Sequence, residues 1–187
     1  MKTPVSTPTI LIVPGLRDHV EDHWQTHLER ALPNARSVPP LEHDKLCRAS
    51  RVAALDAAVA RIEGPIILVA HSAGVMIVAH WAIQHDREIA GALLATPPDL
   101  EVPMPDGYPR LDDLREQGWF PIPRQVLPFP SIVAASTNDP LGRIERVAEL
   151  ADAWGSRFVD LGAVGHLNPA SGYGVWPRAT ELIAELP

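Results

Sequence analysis

The sequence predicts an α/β protein built on a parallel sheet with helices on both faces. Four short, nearly continuous apolar runs support this fold class, because strands that are buried on both faces have this composition. The runs are 9–13 (TILIV), 65–70 (PIILVA), 90–95 (AGALLA) and 131–136 (SIVAAS). Helical patterns separate them, and strand–helix alternation is typical of parallel sheets with right-handed crossovers.

The remaining elements follow from weaker patterns. Two further strand candidates are 35–38 and 157–161. Predicted helices occupy 22–32, 48–62, 73–84, 143–154 and 177–186, with a short helix at 111–116. No linker divides the 187 residues, whose number suits one domain, so we expect a single domain over 1–187 with a flexible start at 1–8.

Composition limits the partners of the chain. A net charge of −7 argues against nucleic acid or an acidic membrane surface as a partner. The single Cys47 excludes an internal disulfide and a multi-cysteine zinc site, and it fits a reducing compartment. The first apolar run has five residues before Pro14, too few for a signal peptide core or a membrane span. We therefore expect a cytoplasmic protein.

Segment 97–130 departs from the alternating pattern, since it holds nine of the twenty prolines and little periodicity. It follows the carboxyl end of a predicted strand, where parallel sheets bind their ligands. The segment is therefore either a small flap over the site or a rigid surface connection.

Residues 70–74 (AHSAG) carry the clearest chemical signal, because they lie directly between a predicted strand and a predicted helix. A serine on such a tight turn presents its hydroxyl above the sheet edge, and the residues two before and two after it must be small. Ala70 and Gly74 meet that requirement, although glycine is the usual residue at the position of Ala70. Ser72 is thus the candidate nucleophile, and helix capping is its alternative role.

A serine nucleophile needs a base, and His166 is the best of the eight histidines. It lies in the glycine-containing loop 162–168, directly after the last predicted strand. His71 is expected to face away from the serine, and His80 and His85 are predicted on the helix below the site. His166 is therefore the candidate base.

The acid that orients the base should end a strand between the nucleophile and the base. Asp139 follows the run at 131–136, and Asp99 competes because it also follows a strand. We favour Asp139, and helix capping is its alternative role. The order nucleophile, acid, base is that of α/β-hydrolases.

An oxyanion needs preorganised donors, and two backbone amides are candidates. Ala73 begins the helix after the nucleophile. The second donor should come from loop 14–17, where Gly15 allows a close approach of the backbone; we choose the Leu16 amide, with Arg17 next.

Three histidines at four-residue spacing, His19, His23 and His27, suggest a metal site as an alternative. Asp18 and Asp22 are expected to interrupt or cap the helix there, so His19 need not be helical. A solvated face or the rim of a cleft explains the spacing better. We expect no metal and no cofactor.

Four segments together resemble the YdeN-like serine hydrolases, the family that includes retinoblastoma-binding protein 9. They are 14–29 (PGLRDHVEDHWQTHLE), 70–74 (AHSAG), 128–140 (PFPSIVAASTNDP) and 165–177 (GHLNPASGYGVWP). The resemblance implies a minimal α/β-hydrolase fold, and it places the catalytic triad at Ser72, Asp139 and His166. It implies esterase-type chemistry without identifying a substrate.

From these observations we expect a six-stranded sheet in the order 2-1-3-4-5-6 with no large cap domain. The predicted function is hydrolysis of a small ester-like substrate through an acyl-enzyme. Thioesters and amides are alternative substrates for the same triad, and a binding module with little turnover is an alternative of another class. A protein partner is not predicted, because the retinoblastoma-binding pattern L-x-C-x-E is absent.

Overall fold

A computed structural model describes residues 7–187 and contains the predicted sheet. Its six strands are all parallel and lie in the order β2-β1-β3-β4-β5-β6. Their bounds are β1 Thr9–Val13, β2 Ala35–Ser37, β3 Ile66–His71, β4 Gly91–Ala95, β5 Ser131–Ala135 and β6 Arg157–Asp160. The predicted fold class, strand number and strand order are confirmed.

Strand register brings the carboxyl ends of the central strands to one edge of the sheet. Val13 at the end of β1 pairs with Ala70 in β3, and His71 at the end of β3 pairs with Ala95 in β4. Ala135 of β5 pairs with Asp160 of β6. The loops that follow these strands therefore share the edge at which parallel sheets bind ligands.

Helices cover both faces of the sheet, as predicted. Their bounds are α1 Trp24–Ala31, α2 Arg48–Ala60, α3 Ala73–Ala82, α4 Leu111–Glu116, α5 Ile144–Trp154 and α6 Arg178–Ala184. The apolar residues of α2, α3 and α5 form one core cluster with the sheet, and those of α1 and α6 form another on the opposite face. The two layers of helices leave the carboxyl edge of the sheet accessible.

Some helices are shorter than predicted. α1 begins at Trp24 instead of 22, because the His23 side chain accepts a hydrogen bond from the Gln25 amide and caps the helix. α3 ends at Ala82, so His85 lies beyond the helix on which it was predicted. A short 3₁₀ helix at Pro169–Ser171 was not predicted.

The proline-rich segment 97–130 is attached to the body of the protein at its centre. Trp119 is fully buried, and its indole N–H donates to the Leu46 carbonyl at 2.8 Å. Arg48 donates to the Gly118 carbonyl at 3.0 Å. By contrast, most of the stretch 101–110 is exposed. The contacts of Trp119 and Arg48 favour a rigid connection at the centre of the segment, and the exposed stretch 101–110 is where a flap would lie.

The predictions for the start of the chain and for membrane spans compare with the structure as follows. The predicted flexible start at 1–8 lies largely outside the described residues. Between residues 7 and 187, no helix has the length and apolar character needed to cross a membrane.

Candidate active site

Ser72 occupies the tight turn between β3 and α3. Its backbone has φ 56° and ψ −130°, a conformation that residues other than glycine rarely adopt. Gly74 makes this turn possible, because a Cβ there would lie 2.2 Å from the Val13 carbonyl oxygen. The helix start and the end of β1 are thus in direct contact. The turn places the Ser72 side chain above the carboxyl edge of the sheet.

The structure brings Ser72, His166 and Asp139 into one hydrogen-bonded row. His166 Nδ1 lies 2.8 Å from Asp139 Oδ2 and 3.0 Å from Oδ1, and His166 Nε2 lies 2.8 Å from Ser72 Oγ. Because a carboxylate accepts from Nδ1, the proton of the neutral imidazole belongs on that nitrogen. Nε2 is then free to accept the hydrogen bond of the Ser72 hydroxyl.

The loops that carry the acid and the base are tied together. Asn138 Oδ1 accepts from the Gly165 amide at 2.7 Å, and Ser136 Oγ accepts from the Val164 amide at 3.2 Å. Asp139 Oδ1 also accepts from the Leu141 amide at 2.9 Å. The relative position of Asp139 and His166 therefore depends on backbone hydrogen bonds as well as on their own contact.

Asp99, the competing acid, lies elsewhere. Its carboxylate accepts from Arg146 Nε at 3.0 Å and from the Glu101 amide at 3.0 Å. It forms an ion pair that joins the start of segment 97–130 to α5, and its partner is not a histidine.

The loop after β1 lies against the nucleophile. A Cβ on Gly15 would approach Ser72 Cβ to 3.4 Å, so glycine keeps the backbone close. The Asp18 amide donates to the Gly15 carbonyl at 3.0 Å and closes a turn. Because peptide bonds are trans, the Leu16 N–H points away from that carbonyl and out of the turn. Ala73 is the first residue of α3, where helix amides have no partner within the helix.

A buried arginine holds this loop in place. Arg51 of α2, 5% exposed, donates to the Leu16 carbonyl at 2.9 Å and to the Lys45 carbonyl at 2.7 Å. Its guanidinium also pairs with the Asp18 carboxylate, whose side chain is 9% exposed. One side chain thus fixes both ends of the turn that carries the predicted oxyanion donor.

A cavity of about 430 Å³ opens beside Ser72, and its surface is mainly apolar although many of its lining residues are polar. Leu16, Leu46 and Leu100 contribute apolar side chains, and the His166 ring also lines it. Met104 and Tyr108 of the exposed stretch 101–110 also line it. The proposed nucleophile therefore faces a space of the size of small-molecule sites.

Comparison with known proteins identifies the family of this chain. The family model described as serine hydrolase matches residues 10–185, which is nearly the whole chain. The chain belongs to the serine hydrolase family. A search among curated proteins found no match.

Solved structures relate this serine hydrolase to the YdeN-like proteins. A YdeN-like hydrolase from Pectobacterium atrosepticum is 30% identical, with a TM-score of 0.80 over 95% of this chain and 89% of that one. The ydeN gene product of Bacillus subtilis is 18% identical, with a TM-score of 0.79 over 96% of this chain and 98% of that one. Est1E from Butyrivibrio proteoclasticus is 13% identical (TM-score 0.66, covering 97% and 89%), which shows the shared fold alone. The resemblance to the YdeN-like family is confirmed.

Sequence reasoning missed how this serine hydrolase supports its histidine. His71 is buried and lines the same cavity as Ser72, and its Nε2–H donates to the backbone carbonyl of His166 at 2.8 Å. The His23 ring lies 4.5 Å from the His71 ring, centroid to centroid. Burial lowers the pKa of His23 to about 4 and that of His71 well below its usual range. Both rings therefore stay neutral at pH 7 and add no positive charge beside the base.

Gln25 was also missed. Its side-chain amide donates to the Val13 carbonyl at 3.3 Å and to the Val69 carbonyl at 3.0 Å. It thereby joins the ends of the two strands that lead into the oxyanion loop and the nucleophile turn. A buried polar residue directly after Trp24 in an amphipathic helix was the available signal.

The three histidines considered for a metal do not converge. His23 caps α1, His27 lies within α1, and His19 is exposed with its Nε2 3.4 Å from Glu21. Over residues 7–187, no cluster of three or more His, Cys, Asp and Glu side chains is arranged to hold a metal ion.

Proposed function

We propose that this serine hydrolase cleaves small carboxylic esters through an acyl-enzyme, with Ser72 as nucleophile, His166 as base and Asp139 as the acid that orients the base. One observation carries the proposal: the row of hydrogen bonds from Asp139 through His166 ends on a strained serine beside an apolar cavity. Nucleophile and base within hydrogen-bond reach, with the base oriented by a third group, form the arrangement that activates a serine.

In the first stage Ser72 Oγ attacks the ester carbonyl while His166 Nε2 takes its proton. Asp139 stabilises the imidazolium that forms. The tetrahedral intermediate then breaks its bond to the alcohol oxygen, and His166 returns the proton to that oxygen. The alcohol leaves, and the acyl group remains bonded to Ser72.

In the second stage water replaces the alcohol. His166 takes a proton from the water as the water oxygen attacks the acyl carbonyl, and the proton passes to Ser72 Oγ when the acyl bond breaks. The carboxylic acid leaves, and the serine hydroxyl is restored. Every proton in the cycle moves between His166 and an oxygen atom, so the proposal needs no cofactor.

The negative oxygen of each intermediate is stabilised by the backbone amides of Ala73 and Leu16. Two features support this choice: Ala73 lies in the first turn of α3, and the Leu16 amide points out of a turn that lies against Ser72. The first-turn amides and the dipole of a helix favour negative charge at that end. Arg51 keeps the Leu16 turn in this orientation before substrate arrives, which is what preorganised stabilisation requires.

The experiment is covalent labelling with a fluorophosphonate, combined with hydrolysis of para-nitrophenyl esters of graded acyl length. The wild-type protein should be labelled and should hydrolyse at least one ester. Ser72→Ala should remove the label and lower kcat by about 10⁶, the usual effect of removing a triad serine. Ala retains the Cβ, so the turn should stay folded, which circular dichroism and the melting temperature check.

Ser131→Ala is the matched control, because Ser131 is a buried serine whose hydroxyl contacts Ser156 at 2.6 Å, away from the cavity. It should keep both the label and the turnover. Full labelling of a folded Ser72→Ala protein would refute the proposed nucleophile, and absence of labelling in the wild type would favour a binding module.

A further inference from the structure

The balance of positive and negative side chains at the cavity differs from that of the whole chain. Outside the catalytic row, two cations, Arg17 and Lys45, line the cavity, and Asp18 is the one carboxylate among the described lining residues apart from the row. The whole chain has a net charge of −7. The cavity therefore has more cationic than anionic side chains, although the protein as a whole is negatively charged.

The charge of Asp18 is already balanced. Its carboxylate pairs with the buried guanidinium of Arg51, which does not itself line the cavity, and lies 3.4 Å from Lys45 Nζ. A nearly buried carboxylate with a buried partner contributes little net charge to its surroundings. The positive charges of Arg17 and Lys45 are therefore left to act on whatever enters the cavity.

Arg17 is an exposed side chain that lines the cavity, and it has no acidic partner among the residues that the structure describes. Its guanidinium carbon lies 5.6 Å from the centre of the Tyr108 ring, a cation–π contact between the oxyanion loop and the stretch 101–110. Within residues 7–187, no carboxylate lies within ion-pair distance of it. A guanidinium held on an aromatic face with its N–H groups unpaired is a site for a carboxylate or phosphate.

We propose that the preferred substrates are esters that carry a carboxylate or phosphate group, bound by Arg17 with Lys45 as a second cation. The inference rests on the proposed esterase activity and adds a substrate class to it. The apolar lining holds the carbon chain, and Arg17, one residue from the predicted oxyanion donor, holds the anion. The anion can come from the acyl half or from the leaving group, and two pairs of substrates distinguish these sources.

The first pair is para-nitrophenyl hydrogen adipate and para-nitrophenyl methyl adipate, which differ in one negative charge on the acyl half. The second pair is the hexanoyl thioesters of phosphopantetheine and of pantetheine, which differ in one phosphate on the leaving group. For each pair the measurement is the ratio of kcat/KM for the charged substrate to that for the neutral one. In at least one pair the wild-type ratio of kcat/KM should exceed about 5. This value is the upper end of the effect that one partly exposed ion pair has on binding.

Arg17→Met should lower that ratio about fivefold, and Lys45→Met should lower it by a smaller factor. Arg17→Glu should bring the ratio below one. Raising the salt from about 20 mM to about 500 mM should also reduce the wild-type ratio, because the Debye length shortens to a few ångströms. The matched control is Arg61→Met, which removes an exposed arginine at the end of α2 and away from the cavity, and it should leave the ratio unchanged.

The outcomes separate this inference from the proposed function. A wild-type ratio near one in both pairs, or a ratio that Arg17→Met leaves unchanged, would overturn the anion site while neutral-ester turnover and fluorophosphonate labelling persist. A protein that neither labels nor hydrolyses any of the four substrates would instead overturn the esterase proposal. A preference in the first pair alone assigns the anion to the acyl half, and one in the second pair alone assigns it to the leaving group.

Discussion

Asp139 and Asp99 follow neighbouring strands, β5 and β4, and are almost equally buried, with 9% and 7% of their surface exposed. Asp139 contacts a histidine that in turn contacts a serine beside the cavity. Asp99 contacts Arg146, a permanent cation that has no proton to exchange at neutral pH. Burial at a strand end thus does not distinguish the carboxylate proposed as the triad acid from one in a structural ion pair, whereas the chemistry of the partner does.

Among the variants that test this comparison, Asp139→Asn should have the largest effect. The amide would no longer stabilise an imidazolium, and it would favour the wrong tautomer of His166, so kcat should fall by about 10⁴. The measurement is kcat for the best ester together with the rate of fluorophosphonate labelling.

Asp99→Asn is the control for that variant, because it changes the same atoms at the neighbouring strand end. It should weaken the ion pair with Arg146 and so lower the free energy of unfolding. It should change kcat by less than about threefold, because Asp99 lies outside the row. If Asp99→Asn were the more damaging of the two to kcat, the assignment of the acid would be wrong.

Arg51→Met should have the next largest effect. Like Asp99–Arg146, Asp18–Arg51 is an ion pair with a largely buried carboxylate, but Arg51 also donates to the Leu16 carbonyl in the predicted oxyanion loop. Loss of one oxyanion donor typically costs about 10² in kcat, and we expect a loss of that order with KM little changed. Arg51→Lys, which keeps a cation and donors, should recover part of kcat.

Arg146→Met is the matched control, because it breaks the ion pair of Asp99 without touching the loop. It should lower the melting temperature and leave kcat nearly unchanged. Equal losses of stability and of kcat in Arg51→Met and Arg146→Met would show that Arg51 has no special relation to the loop. If Arg51→Met fails to fold, the Arg51→Lys variant carries the comparison of kcat.

The smallest effect concerns pH and a buried histidine outside the row. His80 is 4% exposed, its Nε2–H donates to the Trp119 carbonyl at 3.1 Å, and burial lowers its pKa to about 4. The unfolded chain binds a proton on this side chain below about pH 6.5, while the folded protein does so only near pH 4. The free energy of unfolding should therefore fall as the pH drops from 6.5 towards 4, by about 2 kcal/mol between pH 7 and pH 5 from this residue.

Urea unfolding at pH 7 and pH 5 tests this expectation. His80→Gln can still donate to the Trp119 carbonyl but does not titrate, so its stability should depend less on pH than that of the wild type. His23, whose pKa is also lowered to about 4, should account for part of the dependence that remains. An identical pH dependence in His80→Gln and wild type would contradict the prediction.

The sequence was sufficient for the fold and for the three residues of the row because each rests on a local pattern. Buried parallel strands are apolar runs, and Ser72 comes directly after one of them, β3, while Asp139 comes shortly after another, β5. His166 follows β6, a largely exposed strand with a weaker pattern. The choice between Asp139 and Asp99 was a preference, since both residues satisfy that pattern. The contact with His166 separates them, and this contact joins residues 27 positions apart.

Other features depended on long-range contacts that no local pattern encodes. Arg51 in an alanine-rich helix resembles any charged helical residue, and its contact with Leu16 spans 35 positions. The contact between His71 and the His166 carbonyl spans 95 positions. The start of α1 was misplaced for a different reason, since a histidine is an uncommon helix cap and the apolar spacing extended past it.

The backbone of Ser72 also bears on how such a protein can evolve. A residue other than glycine in this conformation costs about 1–3 kcal/mol, which the buried sheet around it must offset. Glycine at position 72 would relieve the strain and remove the hydroxyl in the same substitution. With Ser72 as the proposed nucleophile, selection for stability and selection for turnover therefore act in opposite directions at this residue. A lineage that keeps serine here keeps a permanent local instability, and a descendant that no longer needs the chemistry gains stability by losing it.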